Sequence, residues 1–347
     1  DYAAGVLRML APHYQSICVT HAPETVAPWI DRLAQVMSFE DYERHGAALR
    51  DARHLYHIGN NPDHVAVLDM LWSVPGTVVL HDLTLHYLLQ RWSEQTFGRV
   101  DAMTEVVRHL YGREAAALSH ARYARGRPVQ SVFLELDGLA ALAGCARSVI
   151  THSHLGHARI LAAGYRGPVA VIPHFAAIPA AAVRERLRRQ WRMRLGIGAG
   201  TVLMVSLGFV TPAKQTAAVL RALAALPRSL PEWRFVIGGE NRDPAEKALS
   251  TSLGLTGETS GTACRALAFG LPLVLSDHGW YAELPAEVVF RIPPSPRPEA
   301  ALHATLCLAV LDPGLRAAKA AAALAYAEGH LAPARVTAAY RAAIEAG

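Results

Sequence analysis

The sequence is poor in cysteine and in long apolar runs. It contains four cysteines in 347 residues, Cys18, Cys145, Cys264 and Cys307, and no two of them form a C-x-x-C pair. Widely spaced cysteines with apolar neighbours predict free thiols in a reducing compartment and exclude a disulfide scaffold. No run reaches the roughly 18 apolar residues of a membrane-spanning helix, and no signal peptide is visible. We therefore expect a cytoplasmic protein.

A large excess of charge of one sign is also absent. The formal net charge is +5, from 34 basic and 29 acidic residues, and the pI is about 9.1. This balance favours anionic partners such as nucleotides or phospholipid headgroups, but it is small for a dedicated nucleic-acid binder. We expect no nucleic-acid partner.

The alternation of elements predicts an α/β protein of two domains. A length of 347 residues with 52% hydrophobic residues is enough for two buried cores. Short β-rich runs at 16–20, 55–58, 77–80, 148–151 and 169–172 are separated by helical segments, and the pattern repeats at 202–207, 234–237, 273–275 and 288–292. Such alternation is typical of parallel sheets. We predict two Rossmann-like, doubly wound domains facing a cleft.

The most informative stretch covers residues 257–285. Glu258, Thr259, Ser260 and Gly261 form a polar loop ahead of a short predicted helix, and a buried strand follows. Free N–H groups at a helix N-terminus suit a phosphate, and the adjacent carboxylate suits the hydroxyls of a polyol. The sequence therefore predicts a sugar-nucleotide site here.

Six further motifs, together with the second half of this stretch, agree with this interpretation. They are GNNPDH at 59–64, VVLHDLTLH at 78–86, VITHS at 149–153, VIPHF at 171–175, SLGFVTPAKQ at 206–215, GGEN at 238–241 and GLPLVLSDHGWYAELP at 270–285. In this order and spacing the chain resembles GT-B retaining glycosyltransferases of the family-4 type. The resemblance implies an acceptor-binding domain at 1–175, a nucleotide-sugar-binding domain at 176–332, and a helix at 333–347 that packs back on the first domain.

The resemblance also implies roles for individual residues. Glu258 would contact hydroxyls of the donor sugar, Lys214 would neutralise its diphosphate, and His81 would lie near the reacting centre. The loop residues Thr259, Ser260 and Gly261, together with Arg265, Gly208 and Gly239, would complete the donor site. Structural roles stay open: Glu258 also suits a helix dipole, Lys214 a solvated helix start, and His81 with Asp82 a structural pair.

On the acceptor side the resemblance points to Asn60, Asn61 and Asp82, which follow two predicted strands. The carboxyl ends of strands are where open α/β sheets bind ligands. Asn61 equally fits a helix N-cap, and both roles stay open at this point.

The chain departs from the family pattern in four places. Arg265 stands where a second carboxylate would hold the ribose, so it contacts either a phosphate or a nearby acid. Phe209 stands where an arginine would assist Lys214. About 30 residues, the size of one βαβ unit, are missing between Leu255 and Gly257, and the first strand is missing before Asp1. We predict that these stretches are omitted or deleted.

The expected chemistry needs neither a metal nor a cofactor beyond the NDP-sugar substrate. His152, His154 and His157 lack a cysteine or carboxylate companion, and Ser153 beside them fits an N-cap. No G-x-G-x-x-G follows a strand, which argues against an NAD-dependent dehydrogenase. The alternative function is a non-catalytic GT-B scaffold that binds a nucleotide or glycan.

The expected acceptor is a glycan or a lipid-linked molecule. Two basic stretches, 108–127 and 184–194, bear on the lipid-linked case. The second fits a solvated helix face, whereas the first, on the acceptor domain, suits an anionic lipid or a glycan. The lipid case predicts peripheral contact with the inner membrane face.

Overall fold

The computed structural model describes residues 2–49, 51–98, 102–124, 136–208, 215–239 and 258–346. Lys214, Phe209 and the junction at Thr256 lie outside the described residues. The chain divides into unit 1, Asp1–Ile172 with Pro333–Gly347, and unit 2, Pro173–Ala332. The sequence placed this division at 175/176.

Unit 1 contains two parallel sheets and seven helices among the described residues. The helices are α1 Tyr2–Leu10, α2 Phe39–Leu49, α3 Val65–Ser73, α4 His86–Phe97, α5 Ala102–Ala124, α6 His154–Ala162 and, at the end of the chain, α12 Pro333–Ala346. The strands are β1 Ser16–Thr20, β2 Ala34–Ser38, β3 Leu55–Ile58, β4 Thr77–Leu80, β5 Ser148–Thr151 and β6 Val169–Val171. Strands β1 and β2 pair with each other, and the larger sheet has the order β3-β4-β5-β6.

The larger sheet forms the centre of the unit 1 core. All residues of β4 and β5 are buried, as expected for strands covered by helices on both faces. The polar residues at the start of these strands satisfy each other, since Thr77 Oγ1 and Ser148 Oγ are 2.9 Å apart. Helix α12 contacts α1 and β5, and the hydroxyls of Tyr2 and Tyr340 are 2.9 Å apart. The last helix thus closes one side of unit 1.

Unit 2 places its described strands in two separate pairs. Its helices are α7 Ala181–Arg194, α8 Thr216–Ala224, α9 Gly261–Ala268, α10 Glu299–Leu311 and α11 Pro313–Tyr326, and its strands are β7 Val202–Leu207, β8 Trp233–Gly238, β9 Leu273–Ser276 and β10 Val289–Ile292. Strand β7 pairs with β8 and β9 with β10, both in parallel. The parallel pairing agrees with the predicted α/β class, whereas a single continuous sheet is not formed by the described strands.

The core of unit 2 is correspondingly divided. One cluster packs α9 and α11 around Trp280 and Leu284, and another packs α8 and α10 against β8. Val205 and Leu207 on β7 are 48% and 51% exposed, which is unusual for a strand of a doubly wound domain. Among the described helices of both units, none combines the length and the apolarity that crossing a membrane would require.

Candidate functional site

The predicted donor loop forms the N-terminus of α9. Ser260 is the N-cap, and its Oγ accepts a hydrogen bond of 3.2 Å from the backbone N–H of Ala263. Glu258 and Thr259 precede it and are partly buried. Glu258 stands two residues before this N-cap, close in sequence to the positive end of the helix. This arrangement suits a ligand that carries both phosphate and hydroxyl groups.

Arg265 extends back toward the start of the same helix. Its Nη2 lies 3.9 Å from the position that a Cβ on Gly261 would occupy, and Nδ1 of His174 lies 3.6 Å from that position. The side chain is exposed. The two interpretations left open by the sequence, contact with a phosphate and a surface salt bridge, both stay predictions.

Tyr281 supports the donor loop from the following segment. It lies in the short helical turn Gly279–Glu283, next to the buried Trp280. Burial raises the pKa of the Tyr281 hydroxyl, partly offset by its hydrogen bond with Ser260. Tyr281 therefore stays protonated and fixes the capping residue of α9.

Gly208 and Gly239 come together at the carboxyl ends of β7 and β8. The N–H of Gly208 donates to the carbonyl of Gly238 at 2.8 Å, and Gly208 has φ of 96°, a left-handed conformation that favours glycine. A Cβ on Gly239 would lie only 2.2 Å from the Gly208 carbonyl oxygen. This contact requires glycine at 239, and the two residues leave backbone exposed where a ligand could approach.

On unit 1, Asn60 and Asp82 meet across two adjacent strand ends. Strands β3 and β4 are parallel with Ile58 opposite Leu80, so the residues that follow them share one edge. The Asn60 N–H donates to Asp82 Oδ2 at 2.6 Å, and Asn60 Oδ1 accepts from the N–H of Leu88 at 2.9 Å. Burial raises the pKa of Asp82 despite this N–H donor.

The amide of Asn60 is the strongest acceptor-side feature. Asn60 is 6% exposed, and its Nδ2 has no hydrogen-bond partner in the described structure. Because Oδ1 is assigned as the acceptor from Leu88, the orphan group is a two-proton donor. A buried donor without a partner costs about 1–3 kcal/mol, which a ligand oxygen would relieve.

Asn61 and His64 have structural roles in the same turn. Asn61 Oδ1 accepts the N–H of Asp63 at 3.0 Å and caps the turn Pro62–His64. His64 Nδ1 lies 2.6 Å from the Gly59 nitrogen. The capping interpretation of Asn61 is thus the one that the contacts support.

Three histidines, His57, His81 and His152, lie at neighbouring strand ends of unit 1 and form a chain of contacts. His57 Nδ1 is 2.9 Å from His81 Nε2, and His81 Nδ1 is 3.3 Å from His152 Nε2. His152 Nδ1 lies 2.9 Å from the carbonyl of Ile172. The ring of Tyr2 is edge-on to His81 and His152, with centroids 5.1 and 5.2 Å away. We call His57, His81 and His152 the histidine chain.

Burial keeps the outer members of the histidine chain neutral. Burial, followed by the charge of nearby His152, lowers the pKa of His57 to about 3. Burial also lowers the pKa of His152 to about 4, against a smaller opposing effect of its bond to Ile172. His86 is also buried, with its Nδ1 3.0 Å from the carbonyl of Leu136.

The sequence identified His81 but not its neighbours. His57 lies inside a strand, and the sequence motif grouped His152 with His154 and His157. In the structure His152 instead contacts His81, which is 71 residues away in the chain. His154 is instead exposed on α6, and Ser153 caps that helix by accepting from the N–H of Gly156 at 3.0 Å. The signal that would have found the histidine chain is one histidine at or beside the end of each of three strands, β3, β4 and β5.

Imidazole nitrogens are also metal ligands, so the absence of a metal stays a prediction. The facing nitrogens of His81 and His152 are each able to bind a cation. In the described structure these atoms are directed to each other.

The comparisons with known proteins identify the fold. No protein-family model and no curated protein matches the sequence. The solved structure of Anabaena HepE in complex with UDP-glucose is similar over 99% of this chain and 96% of its own, with a TM-score of 0.60 and 13% identity. WaaG, a glycosyltransferase involved in lipopolysaccharide biosynthesis, is similar over 97% and 94%, with a TM-score of 0.55 and 15% identity.

A third similar structure is the UDP-forming α,α-trehalose-phosphate synthase from Burkholderia vietnamiensis. It is similar over 96% of this chain and 100% of its own, with a TM-score of 0.51 and 12% identity. Likeness at such low identity defines the fold, which extends over nearly the whole chain. The chain is an α/β protein with the GT-B fold of glycosyltransferases.

Proposed function

We propose that the chain is a retaining glycosyltransferase of the family-4 type that moves a sugar from an NDP-sugar to a hydroxyl acceptor without a metal. The observation that carries this proposal is the loop of Glu258, Thr259 and Ser260 at the N-terminus of α9. Its carboxylate residue stands two positions before the N-cap of α9, in a chain similar over 99% of its length to a UDP-glucose complex.

In the proposed reaction the acceptor hydroxyl attacks on the face of the sugar that the diphosphate leaves. The departing phosphate oxygen takes the proton of that hydroxyl, so no side-chain base is required. Lys214 and the N–H groups of residues 259–261 stabilise the negative charge that develops on the leaving group. Glu258 accepts hydrogen bonds from the sugar hydroxyls and orients the ring.

The proposed acceptor is a glycan or a lipid-linked molecule bound by unit 1. The orphan amide of Asn60 would donate to an acceptor oxygen, and Asp82 fixes the Asn60 backbone beside it. The similarity to WaaG supports an acceptor in polysaccharide biosynthesis. This function implies a cytoplasmic enzyme with peripheral contact to the inner membrane face.

The experiment begins with calorimetry against UDP-, GDP-, dTDP- and ADP-sugars, followed by donor hydrolysis and transfer assays. Glu258→Ala should lower turnover on the order of 100-fold while the fold is retained, because the sugar loses its orienting carboxylate. Glu287→Ala, at an exposed acid of unit 2, is the control. Unchanged transfer by Glu258→Ala would contradict the role of this residue.

The second candidate function is a non-catalytic GT-B protein that binds a nucleotide or glycan. Arg265 in place of a ribose-binding carboxylate and Phe209 in place of an arginine favour it. Tight donor binding without hydrolysis or transfer, even with acceptors supplied, would select this function.

A further inference from the structure

The histidine chain has a direction that its hydrogen bonds define. The Ile172 carbonyl can only accept, so His152 Nδ1, at 2.9 Å, carries the proton. A neutral imidazole has one N–H, and His152 is 6% exposed and kept neutral by burial. His152 Nε2 is therefore an acceptor, and the facing Nδ1 of His81 is the donor.

The same reasoning continues to His57. A neutral His81 that donates through Nδ1 has its lone pair at Nε2, which faces His57 Nδ1 at 2.9 Å. His57 Nδ1 then donates to it. All bonds of the histidine chain run from His57 through His81 and His152 to the Ile172 carbonyl. Each member is the Nδ1–H tautomer.

We propose that His57 and His152 are positioning residues that fix the tautomer and ring plane of His81. A histidine exposes different chemistry according to which nitrogen holds its proton, and the partner of the other nitrogen sets that choice. Both ring edges of His81 are engaged, and the Tyr2 ring packs edge-on at 5.1 Å. The ring of His81 is thus held from three sides.

The consequence of this arrangement for catalysis rests on the proposed glycosyltransferase function. His81 follows β4, at the carboxyl end where α/β proteins bind ligands. In the Nδ1–H tautomer both ring nitrogens of His81 are used within the histidine chain, since Nδ1 donates to His152 and Nε2 accepts from His57. The histidine chain therefore holds the ring of His81 in one plane at this edge of the sheet, and the contribution of His81 to the reaction is positional rather than acid–base.

The direct test is nuclear magnetic resonance of the histidine ring nitrogens in the full chain. Long-range ¹H–¹⁵N correlations distinguish the two neutral tautomers, and single-histidine variants assign the signals. We expect His57, His81 and His152 as neutral Nδ1–H tautomers at pH 7. An Nε2–H tautomer of His81 overturns the proposal whether or not the protein has transferase activity.

Matched variants separate the hydrogen bonds from packing. His57→Asn keeps a donor near the position of Nδ1, whereas His57→Leu removes it. His152→Asn keeps a donor for Ile172 but loses the acceptor for His81. His57→Leu and His152→Asn should change the His81 ring shifts, and His57→Asn should preserve them. Unchanged His81 shifts in the first two variants would overturn the proposal. Circular dichroism and thermal unfolding establish which variants are folded.

The kinetic readout distinguishes positioning from structure. With an active donor and acceptor, His57→Leu should lower kcat on the order of 10-fold or more with KM nearly unchanged, and His57→Asn should restore most of the rate. His154→Asn, on the exposed face of α6, is the control. Equal losses in His57→Leu and His57→Asn would contradict the donor role. Micromolar Zn²⁺ binding at the His81 and His152 nitrogens would identify a cation site and overturn the proposal.

Discussion

The two units use the same strand-and-helix pattern but differ in how their strand ends are supported. In unit 1 the four strands β3 to β6 form one sheet, and the residues after β3, β4 and β5 hydrogen-bond to one another. In unit 2 the described strands form two pairs, and Val205 and Leu207 on β7 are about half exposed. The strand ends of unit 1 are connected by side chains, whereas those of β7 and β8 meet through backbone at Gly208 and Gly239.

This difference bears on the predicted missing segment. The break in pairing falls between β8 and β9, the interval of the chain that contains Leu255 and Gly257. An interior strand placed between them would pair with both and cover apolar strand residues. The omission of one βαβ unit stays a prediction, because the junction lies outside the described residues. Sequencing the gene, or measuring the mass of the natural protein, would test this prediction.

The largest expected effect compares the glycines at the strand ends of the two units. Gly239→Ala in unit 2 places a Cβ 2.2 Å from a backbone oxygen, which cannot move independently of β7. Gly59→Ala in unit 1 places it 2.9 Å from Asp82 Oδ2, a side-chain atom that can rotate. We expect losses in unfolding free energy of about 3 kcal/mol or more for Gly239 and about 1–2 kcal/mol for Gly59.

Urea unfolding monitored by circular dichroism measures both changes. Gly200→Ala is the control, since its Cβ would meet no atom within 4 Å. An equal cost at 239 and 59 would show that the backbone contact in unit 2 yields as easily as a side chain.

The next effect is a loss of stability of unit 1 in mild acid. Burial lowers the pKa of His86 and His152 to about 4 each, below about 6.5 in an unfolded chain. As pH falls from about 6.5 toward 4, the unfolded chain binds protons that the native chain does not, so the free energy of unfolding falls. At pH 5.5 the loss is about 1.4 kcal/mol per histidine, or about 3 kcal/mol together.

Two other buried groups also contribute to this pH dependence. The lowered pKa of His57 acts in the same direction, and the raised pKa of Asp82 opposes it because the native carboxyl binds its proton at a higher pH than the unfolded one. Unfolding in urea at pH 7.5 and 5.5 measures the difference. The double variant H86N/H152N should be less stable at pH 7.5 but less sensitive to acid. If the unfolding free energy of the double variant falls between pH 7.5 and 5.5 as much as that of the native protein, His86 and His152 are not its cause.

A smaller effect concerns donor binding by unit 2. If the exposed guanidinium of Arg265 contacts a phosphate, Arg265→Ala should weaken NDP-sugar binding about tenfold, the value of one charge-assisted hydrogen bond. Arg297→Ala, at another exposed arginine of unit 2, is the control. Calorimetry with NDP-sugar and with the free nucleoside should show the loss for the first ligand alone. Weaker binding of both the NDP-sugar and the nucleoside would indicate that Arg265 contacts the nucleoside instead.

The sequence predicted most elements of both units because local patterns determine them. Strands at 16–20, 55–58, 77–80, 148–151 and 202–207 have the predicted bounds. The N-cap role of Ser260 was not predicted, although its residue type fits that position. Strand β2 and helix α2 were missed, since Ala34–Ser38 carries few β-branched residues.

The site was less predictable because it depends on contacts across the sheet. The contact between His57 and His81 spans 24 residues, and that between His81 and His152 spans 71. Strand order and register bring these residues together, and neither is encoded in the residues themselves. The orphan amide of Asn60 follows from a hydrogen bond with Leu88 that spacing alone does not reveal.

The smallest expected effect compares the two basic helices, α5 in unit 1 and α7 in unit 2. On α5, Arg108 pairs with Glu105 at 2.8 Å, while Arg113 is exposed. On α7, the exposed Arg189 lies 3.8 Å from Glu185. If unit 1 contacts the membrane, Arg113→Glu should weaken binding to anionic vesicles several-fold, since each basic residue near such a surface contributes about 1 kcal/mol. Arg189→Glu makes the same charge change in unit 2. A larger loss from Arg189→Glu in vesicle flotation would move the membrane contact to unit 2, and no flotation of the native chain would exclude it.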